Sequence, residues 1–199
     1  MGACDDDEVT IHLVRHAPTA ANTGGVFMGR IDVPALGLDS PAAYRIAPGR
    51  ARTIYSSPML RALSAADVLF PGEPVNLDDR LLERSVGDWE GLDHATVELR
   101  WPGTFIDGVI DPRAAAPGGE SVADLCARVA DFVGMLMSPE SGPDSDTDVY
   151  VVTHNGWIRA AMLLNDEVEL EELFAEPVPF LTPLRFAPDS TFGTNRPRT

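Results

Sequence analysis

Val149-Tyr150-Val151-Val152-Thr153 constrains the fold more than any other stretch of the chain. It is a continuous apolar and β-branched run, delivered by the acidic loop Ser138 to Asp148 and stopped by His154-Asn155-Gly156, and it suits a central parallel strand buried on both faces. A strand of that kind belongs in an α/β fold. A second strand, Val9 to Val14, alternates in polarity and ends in Arg15-His16, followed by the turn residues Ala17-Pro18-Thr19, with Asn22 just beyond. A third, Arg52 to Ser56, runs into Ser57-Pro58-Met59-Leu60-Arg61. Right-handed βαβ connections put the carboxyl ends of such strands on one face of the sheet, where open α/β sheets bind ligands. Arg15, His16, Arg61 and His154 are therefore expected to converge.

The remaining elements follow from capping and periodicity. Ser57 can cap a helix with Pro58 in its first position, running to about Leu69. Ser121 and Asp124 form a capping box ahead of an apolar stripe, Val122, Leu125, Cys126, Val129, Phe132, Val133 and Leu136, which predicts a core-facing helix. Shorter helices are expected from Asp39-Ser40-Pro41 to about Ala47, from Trp157 to Leu164 and from Glu167 to Phe174. Val75-Asn76-Leu77 reads as a short strand, and Phe180 to Phe186, with its internal Pro183, as an edge strand. Gly24 to Pro34 and Leu81 to Gly91 read as irregular, and the Pro-, Gly- and Ala-rich stretch from Trp101 to Gly119 reads as a mobile flap between helices. Long irregular connections in a compact domain are more often functional than idle.

The 199 residues, 44% of them hydrophobic, are expected to form one domain, with 1–8 and 188–199 flexible. A chain of this length buries roughly 70% of its unfolded surface, so no metal or disulfide staple is required. Cys4 falls in a polar arm and Cys126 on the core face of a helix, which suits a reducing, cytoplasmic setting. No apolar run resembles a signal peptide or a membrane span. The net charge is −16, which disfavours nucleic acid and anionic membranes as partners. Every one of the 15 bases is arginine, so a phosphate clamp here must use guanidinium forks.

Two histidines and two arginines at strand ends, without metal-ligand spacing, suit phosphoryl chemistry. The ordered motifs carry a resemblance. Arg15-His16-Ala17-Pro18-Thr19 with Asn22, then Ser57-Pro58-Met59-Leu60-Arg61-Ala62, then Leu82-Glu83 with Gly87-Asp88-Trp89-Glu90-Gly91, then Pro117-Gly118-Gly119-Glu120-Ser121, and last Val152-Thr153-His154-Asn155-Gly156 are similar, in that order, to the signatures of the histidine phosphatase superfamily, the phosphoglycerate mutase-like family. The resemblance implies a three-layer α/β sandwich with a mostly parallel central sheet. It also implies that His16 is the nucleophile that becomes phosphorylated, that Glu83 is the proton donor, and that Arg15, Arg61, Asn22 and His154 ring the phosphate.

The chemistry agrees with those roles. A neutral imidazole attacks phosphorus without a separate base, and guanidinium forks plus a cationic or hydrogen-bonding His154 suit the charge on the equatorial oxygens. A carboxylic acid at Glu83 delivers a proton to the leaving group, worth about 10² to 10⁴ in rate. Neither a metal nor a cofactor is called for. The loop near Arg30 and the flap with Arg113 are expected to shape the leaving-group pocket, which makes Arg30 a substrate-binding candidate. Ala17 stands where the family has Gly, a strain only if φ there is positive. Asn155 stands where Gly is common and adds an amide as a candidate phosphate ligand. His12 and His94 read as structural, and Glu83 has a bland alternative as a solvated acid paired with Arg80 or Arg84.

The leading expectation is a metal-independent phosphomonoesterase acting on a small phosphorylated substrate; oligomeric state stays open. A cofactor-dependent phosphoglycerate mutase is disfavoured because mutases of this type generally carry a longer enclosing insertion than the chain has between Glu83 and Ser121. A catalytically dead phosphate- or phosphopeptide-binding module is disfavoured because nucleophile, acid and both arginines are present.

Overall fold

The computed structural model describes residues 9–47, 49–140, 142–144, 146–189 and 191–194. The flexibility expected of residues 1–8 and 195–199 falls outside them. Among the described residues the strands are β1 (Thr10–Arg15), β2 (Arg52–Ser56), β3 (Asn76–Leu77), β4 (Phe105–Ile106), β5 (Val109–Ile110), β6 (Asp148–Thr153) and β7 (Pro183–Phe186). The α-helices are α1 (Ala20–Gly24), α2 (Leu60–Leu69), α3 (His94–Arg100), α4 (Val122–Leu136) and α5 (Asn155–Leu164).

The main sheet has the order β3-β2-β6-β1-β7, parallel except for β7, with β6 at its centre. Alternation along the central strands explains the layers. Ile11, Leu13, Val149 and Val151 join the core shared with α4 and α5, while Val14, Ile54, Tyr150 and Val152 join the core shared with α2. The result is the expected three-layer α/β sandwich. Register brings the strand ends together: Arg15 lies opposite Thr153, and Ser56 opposite Val152, so the three strands end level. The His16 N–H then donates to the Thr153 carbonyl, and the Ser57 N–H to the Val152 carbonyl, both at 2.9 Å.

Helix α4 keeps the predicted capping box, with the Asp124 N–H donating to Ser121 Oγ at 3.1 Å, and its stripe is buried throughout. Cys126 is fully buried inside it. Other local expectations gave way to tertiary partners. The helix expected over 41–47 is only a 3₁₀ turn, Pro41–Ala43, because the Ile46 N–H donates to the Leu69 carbonyl at the end of α2. The acidic helix expected from Glu167 shrinks to a 3₁₀ turn, Leu170–Glu172, whose Glu172 carbonyl, with that of Leu173 just beyond it, is taken by the Arg159 guanidinium at 2.5 and 3.1 Å. Helix α2 starts at Leu60 rather than beside Pro58.

The flap is ordered around the hairpin β4–β5, which reverses at Asp107 and Gly108 with φ of 50° and 82°, the two positive values a tight hairpin turn needs. It rests on a small separate core of Phe27, Trp89, Val97 and Ala116, against which Trp101, Phe105 and Ile110 pack. The stretch from 188, expected to be flexible, is packed where described: the Phe192 ring meets Phe186 edge-on at 5.8 Å.

Candidate active site

His16 follows β1 directly and is only 4% exposed. Its Nδ1 donates to the Ala17 carbonyl at 2.5 Å, which places the lone pair on Nε2. Burial, assisted by the Arg61 and Arg15 charges, pushes its pKa down to about 3 against the opposing pull of the Ala17 bond. The ring is therefore neutral at any physiological pH. Ala17 is absent from the non-glycine residues with positive φ, so replacing the family glycine brings no backbone strain.

Both arginines are buried. Arg15 donates from Nη1 to the Val178 carbonyl at 2.7 Å and lies 3.8 Å over the Phe180 ring, while its Nε is buried without a hydrogen-bond partner among the described residues. Desolvation lowers its pKa to about 10, with Glu83 opposing, and the charge is retained. An orphaned buried donor on a cation is what an anion site looks like without its anion. Arg61, in the first turn of α2, donates to the Ile31 and Gly29 carbonyls at 2.9 and 3.0 Å, and from Nε to His154 Nδ1 at 3.3 Å. It shapes the loop before Asp32 as well as the site.

His154 is fully buried between β6 and α5. With Nδ1 accepting from Arg61, its Nε2 carries the proton and donates to Ser57 Oγ at 2.8 Å. Burial first, then the Arg61 charge, holds its pKa well below the ordinary histidine value. Of the two readings of His154, cationic or hydrogen-bonding, the geometry favours the second, with both nitrogens holding protein partners. Ser57, expected as a helix cap, is part of this support as well.

Glu83 is aimed by its backbone. The carbonyls before it are pinned one by one, Arg80 by Trp157 Nε1 and Arg128 Nη1, Leu81 by Thr153 Oγ1 at 2.7 Å, and Leu82 by Arg128 Nη1 at 2.6 Å. Arg128 is neutralised by Glu120, bonded through Nε and Nη2 at 2.6 and 2.9 Å. The Glu83 carboxylate accepts from the Arg84 and Gly156 N–H groups at 2.8 and 3.2 Å. A Cβ on Gly156 would stand 2.6 Å from Glu83 Oε1, so this glycine is a requirement of the acid's position. The bland pairing is absent: Arg80 pairs with Asp78 and Asp131, and Arg84 donates to the Glu120 and Ala114 carbonyls.

Asn22 Oδ1 is fixed by the Thr19 N–H and hydroxyl, both at 2.9 Å, which leaves its amide nitrogen for a ligand. Asn155 Oδ1 accepts from the Val178 N–H at 2.8 Å, so this residue clamps the same peptide segment that Arg15 holds. Both line one cavity of about 280 Å³ together with Arg15, His16, Arg61 and Glu83. Thr19, Gly29, Arg84 and Gly156 also line it, and a cap made of the 26–28 loop, Val86, the start of α3 and the β4–β5 hairpin adds Val26, Phe27, Met28, Val86, His94 and Ile110, with Phe174 on the far rim. Arg30, expected to bind substrate, does not line it. Its side chain reaches the Glu83 carbonyl at 3.3 Å and Glu120 at 3.6 Å, supporting the acid from behind. Arg128, Ser57 and the cavity position of His94 were missed by sequence reasoning. Among the described residues no three His, Cys, Asp or Glu side chains cluster as metal ligands.

A neutral histidine, three buried guanidinium groups and one carboxylate around a small cavity at parallel-strand ends define an α/β enzyme built for phosphoryl transfer. Comparison with known proteins makes this specific. The histidine phosphatase superfamily (branch 1) model matches residues 11–183, and the chain belongs to that superfamily. It is 34% identical over 157 residues to a glucosyl-3-phosphoglycerate phosphatase of Mycolicibacterium vanbaalenii, covering 74% of this chain and 70% of that protein. Among solved structures, a mycobacterial glucosyl-3-phosphoglycerate phosphatase in complex with VO3 superposes with a TM-score of 0.68 at 26% identity, over 90% of this chain and 92% of that one. Bacillus stearothermophilus YhfR superposes with a TM-score of 0.76 at 26% identity, over 92% and 93%.

Proposed function

We propose that the protein is a phosphomonoesterase that works through a phosphohistidine on His16 and uses neither metal nor cofactor. The observation that carries this reading is the Nδ1 bond to the Ala17 carbonyl, which leaves a neutral Nε2 beside Arg15 and Arg61. The phosphoryl group enters the ring formed by Arg15, Arg61 and the Asn22 amide. His16 Nε2 forms a bond to phosphorus as the ester P–O bond breaks, and Glu83 gives its proton to the departing oxygen. The imidazolium so formed keeps its Nδ1–H on the Ala17 carbonyl. Glu83, now a carboxylate, takes a proton from water as that water displaces Nε2, which releases phosphate and restores neutral His16. His154 acts through Arg61, holding the guanidinium Nε, while Asn155 steadies the Val178 segment.

The substrate is a small phosphorylated compound, in keeping with a cavity of about 280 Å³ and a net charge of −16. Glucosyl-3-phosphoglycerate, named for the relatives, is the first to try. The burial of Cys126 in the apolar stripe of α4 supports a cytoplasmic setting. The test is turnover of an aryl phosphate without added metal, with intact mass measured after an alkaline denaturing quench that preserves phosphohistidine. Wild type is expected to release phosphate and show a phosphoryl adduct, and His16→Ala to lose both, turnover falling on the order of 10⁴-fold or more. An adduct that persists in His16→Ala would sink the mechanism. Isomerisation of a glycerate phosphate without phosphate release would make the protein a mutase instead.

A further inference from the structure

We propose that Glu120 and Arg128 are positioning residues for the general acid, an ion pair that buckles the backbone on both sides of Glu83 and so sets the direction of its carboxyl. The inference deepens the phosphatase reading and rests on it. Glu83 stands on irregular backbone: residues 82–86 lie between the 3₁₀ turns Asp79–Leu81 and Gly87–Trp89 and belong to no helix or strand. Proton transfer nonetheless needs the carboxyl within about 2.6–3.2 Å of the departing oxygen. Side chains from elsewhere must supply that precision.

Glu120 precedes the N-cap of α4, and Arg128 lies two turns along the helix. Neither lines the cavity, and the two side chains are only 10% and 15% exposed. An enclosed ion pair is costly unless each nitrogen finds a partner, and here each does. Arg128 gives Nε and Nη2 to the Glu120 carboxylate at 2.6 and 2.9 Å, and Nη1 to the Arg80 and Leu82 carbonyls at 2.8 and 2.6 Å. On the far side of the acid, Glu120 Oε2 accepts from the Ser85 N–H at 3.3 Å, and the Glu120 N–H donates to the Ser85 carbonyl at 2.9 Å. Arg30, 3.6 Å from Oε2, closes the buckle by donating from Nε to the Glu83 carbonyl at 3.3 Å. Residues 82, 83 and 85 are thereby tied to one pair of charges. Among the described residues no hydrogen bond or ion pair joins Glu120 or Arg128 to His16, Arg15 or Arg61. Arg84, whose guanidinium lines the cavity, is held by the Glu120 main-chain carbonyl at 2.8 Å, which a side-chain substitution leaves in place.

The test is kcat/KM for glycerol 3-phosphate and 4-nitrophenyl phosphate in wild type, Glu120→Gln and Arg128→Lys, each substitution also combined with Glu83→Gln. This constant reports the transfer to His16 rather than the later release of phosphate. The alkyl ester needs the proton and the acidic nitrophenol does not, so the ratio of the two constants isolates the acid. Because both are measured on one sample, the ratio is independent of how much of a weakened variant is folded. Glutamine must turn its NH₂ toward Arg128 or the Ser85 N–H, and one lysine ammonium cannot span the partners of three guanidinium nitrogens. The ratio of the alkyl to the aryl constant should fall about 10-fold in each variant, with the inhibition constant of inorganic phosphate unchanged. Added to Glu83→Gln, either substitution should lower the ratio no further, since nothing is left to position. A wild-type ratio in either variant, or a further fall in the Glu83→Gln background, would overturn the inference while leaving the phosphatase reading standing. A wild type that turns over neither ester would overturn both.

Discussion

On the floor of the cavity His16 and Arg61 are exposed by 4% and 3%, His154 behind them by 0%, and nearly every polar atom there has a named partner. Across the cavity the cap hangs on two-residue strands, a core of four buried side chains and the exposed ring of His94. The floor is built from strand ends whose register is locked by the central β-sheet. The cap is built from glycine turns and aromatic contacts of its own: Gly87, at φ 44°, is pressed against Pro117–Gly119, where a Cβ would stand 2.2 Å from a carbonyl oxygen. Rigid, desolvated groups suit a reaction in which charge must be met without reorganisation. A lightly anchored cap suits the part of the substrate that differs between family members.

The strongest way to break this contrast is Glu83→Gln. The amide keeps one of the two oxygens, which can still accept from the Arg84 N–H, and gives up the longer bond from the Gly156 N–H, so the fold and the phosphate ring should persist at a modest cost in Tm while the proton is lost. For an alkyl phosphate, kcat should fall by about 10² to 10⁴ with little change in KM. For an aryl phosphate with an acidic phenol the loss should be much smaller, because that leaving group needs no proton. Steady-state kinetics on the two esters would read it, and equal losses would mean that Glu83 positions rather than protonates.

The floor was the more legible region in the sequence, and the reason is physical. Arg15-His16 and His154 each terminate an apolar run, and strand period plus an abrupt stop is a local signal. Its supports were not legible. Arg15 reaches Val178 across 163 residues, and Arg61 reaches His154 across 93, so these contacts exist only once the register is set. Ser57 shows the difficulty: its sequence context is that of a helix cap, and its hydroxyl does accept from the Met59 N–H at 3.4 Å, yet its shorter bond, at 2.8 Å, is to His154. The cap was read as irregular loop and mobile flap because two-residue strands carry no usable period. His94 was placed correctly at a helix start, but nothing local reveals which cavity that helix borders.

A second prediction uses pH to separate the floor from the surface. An unfolded histidine takes up a proton near pH 6.5, whereas native His16 stays neutral down to about 3. Between those values the unfolded chain binds more protons, so stability falls as pH falls, by up to about 1.4 kcal/mol per unit for such a group. His154 acts in the same direction. Protonation of the acidic surface relieves self-repulsion and works the other way, so wild type alone does not isolate the floor. His16→Gln does: its Tm should decline less steeply than that of wild type from pH 6.5 to 5. Parallel curves in differential scanning calorimetry would show that His16 gains its proton without unfolding.

The smallest effect is expected where the cap meets the opposite rim. Arg113, in the flap, pairs with Glu171 in the turn before Phe174, and so ties the flap to the segment that carries Phe174. The two side chains are 58% and 64% exposed, and each partner's pKa shifts in the sense that favours its charge, chiefly through their shared hydrogen bond. Exposure decides the outcome: water screens the pair, and ordering two long side chains offsets the attraction. Arg113→Ala should leave Tm unchanged and, by freeing the rim, shift KM for bulky esters more than for phenyl phosphate. A clear drop in Tm would mean that the cap is anchored as firmly as the floor, and the division between a rigid chemical half and a lightly held selective half would have to be given up.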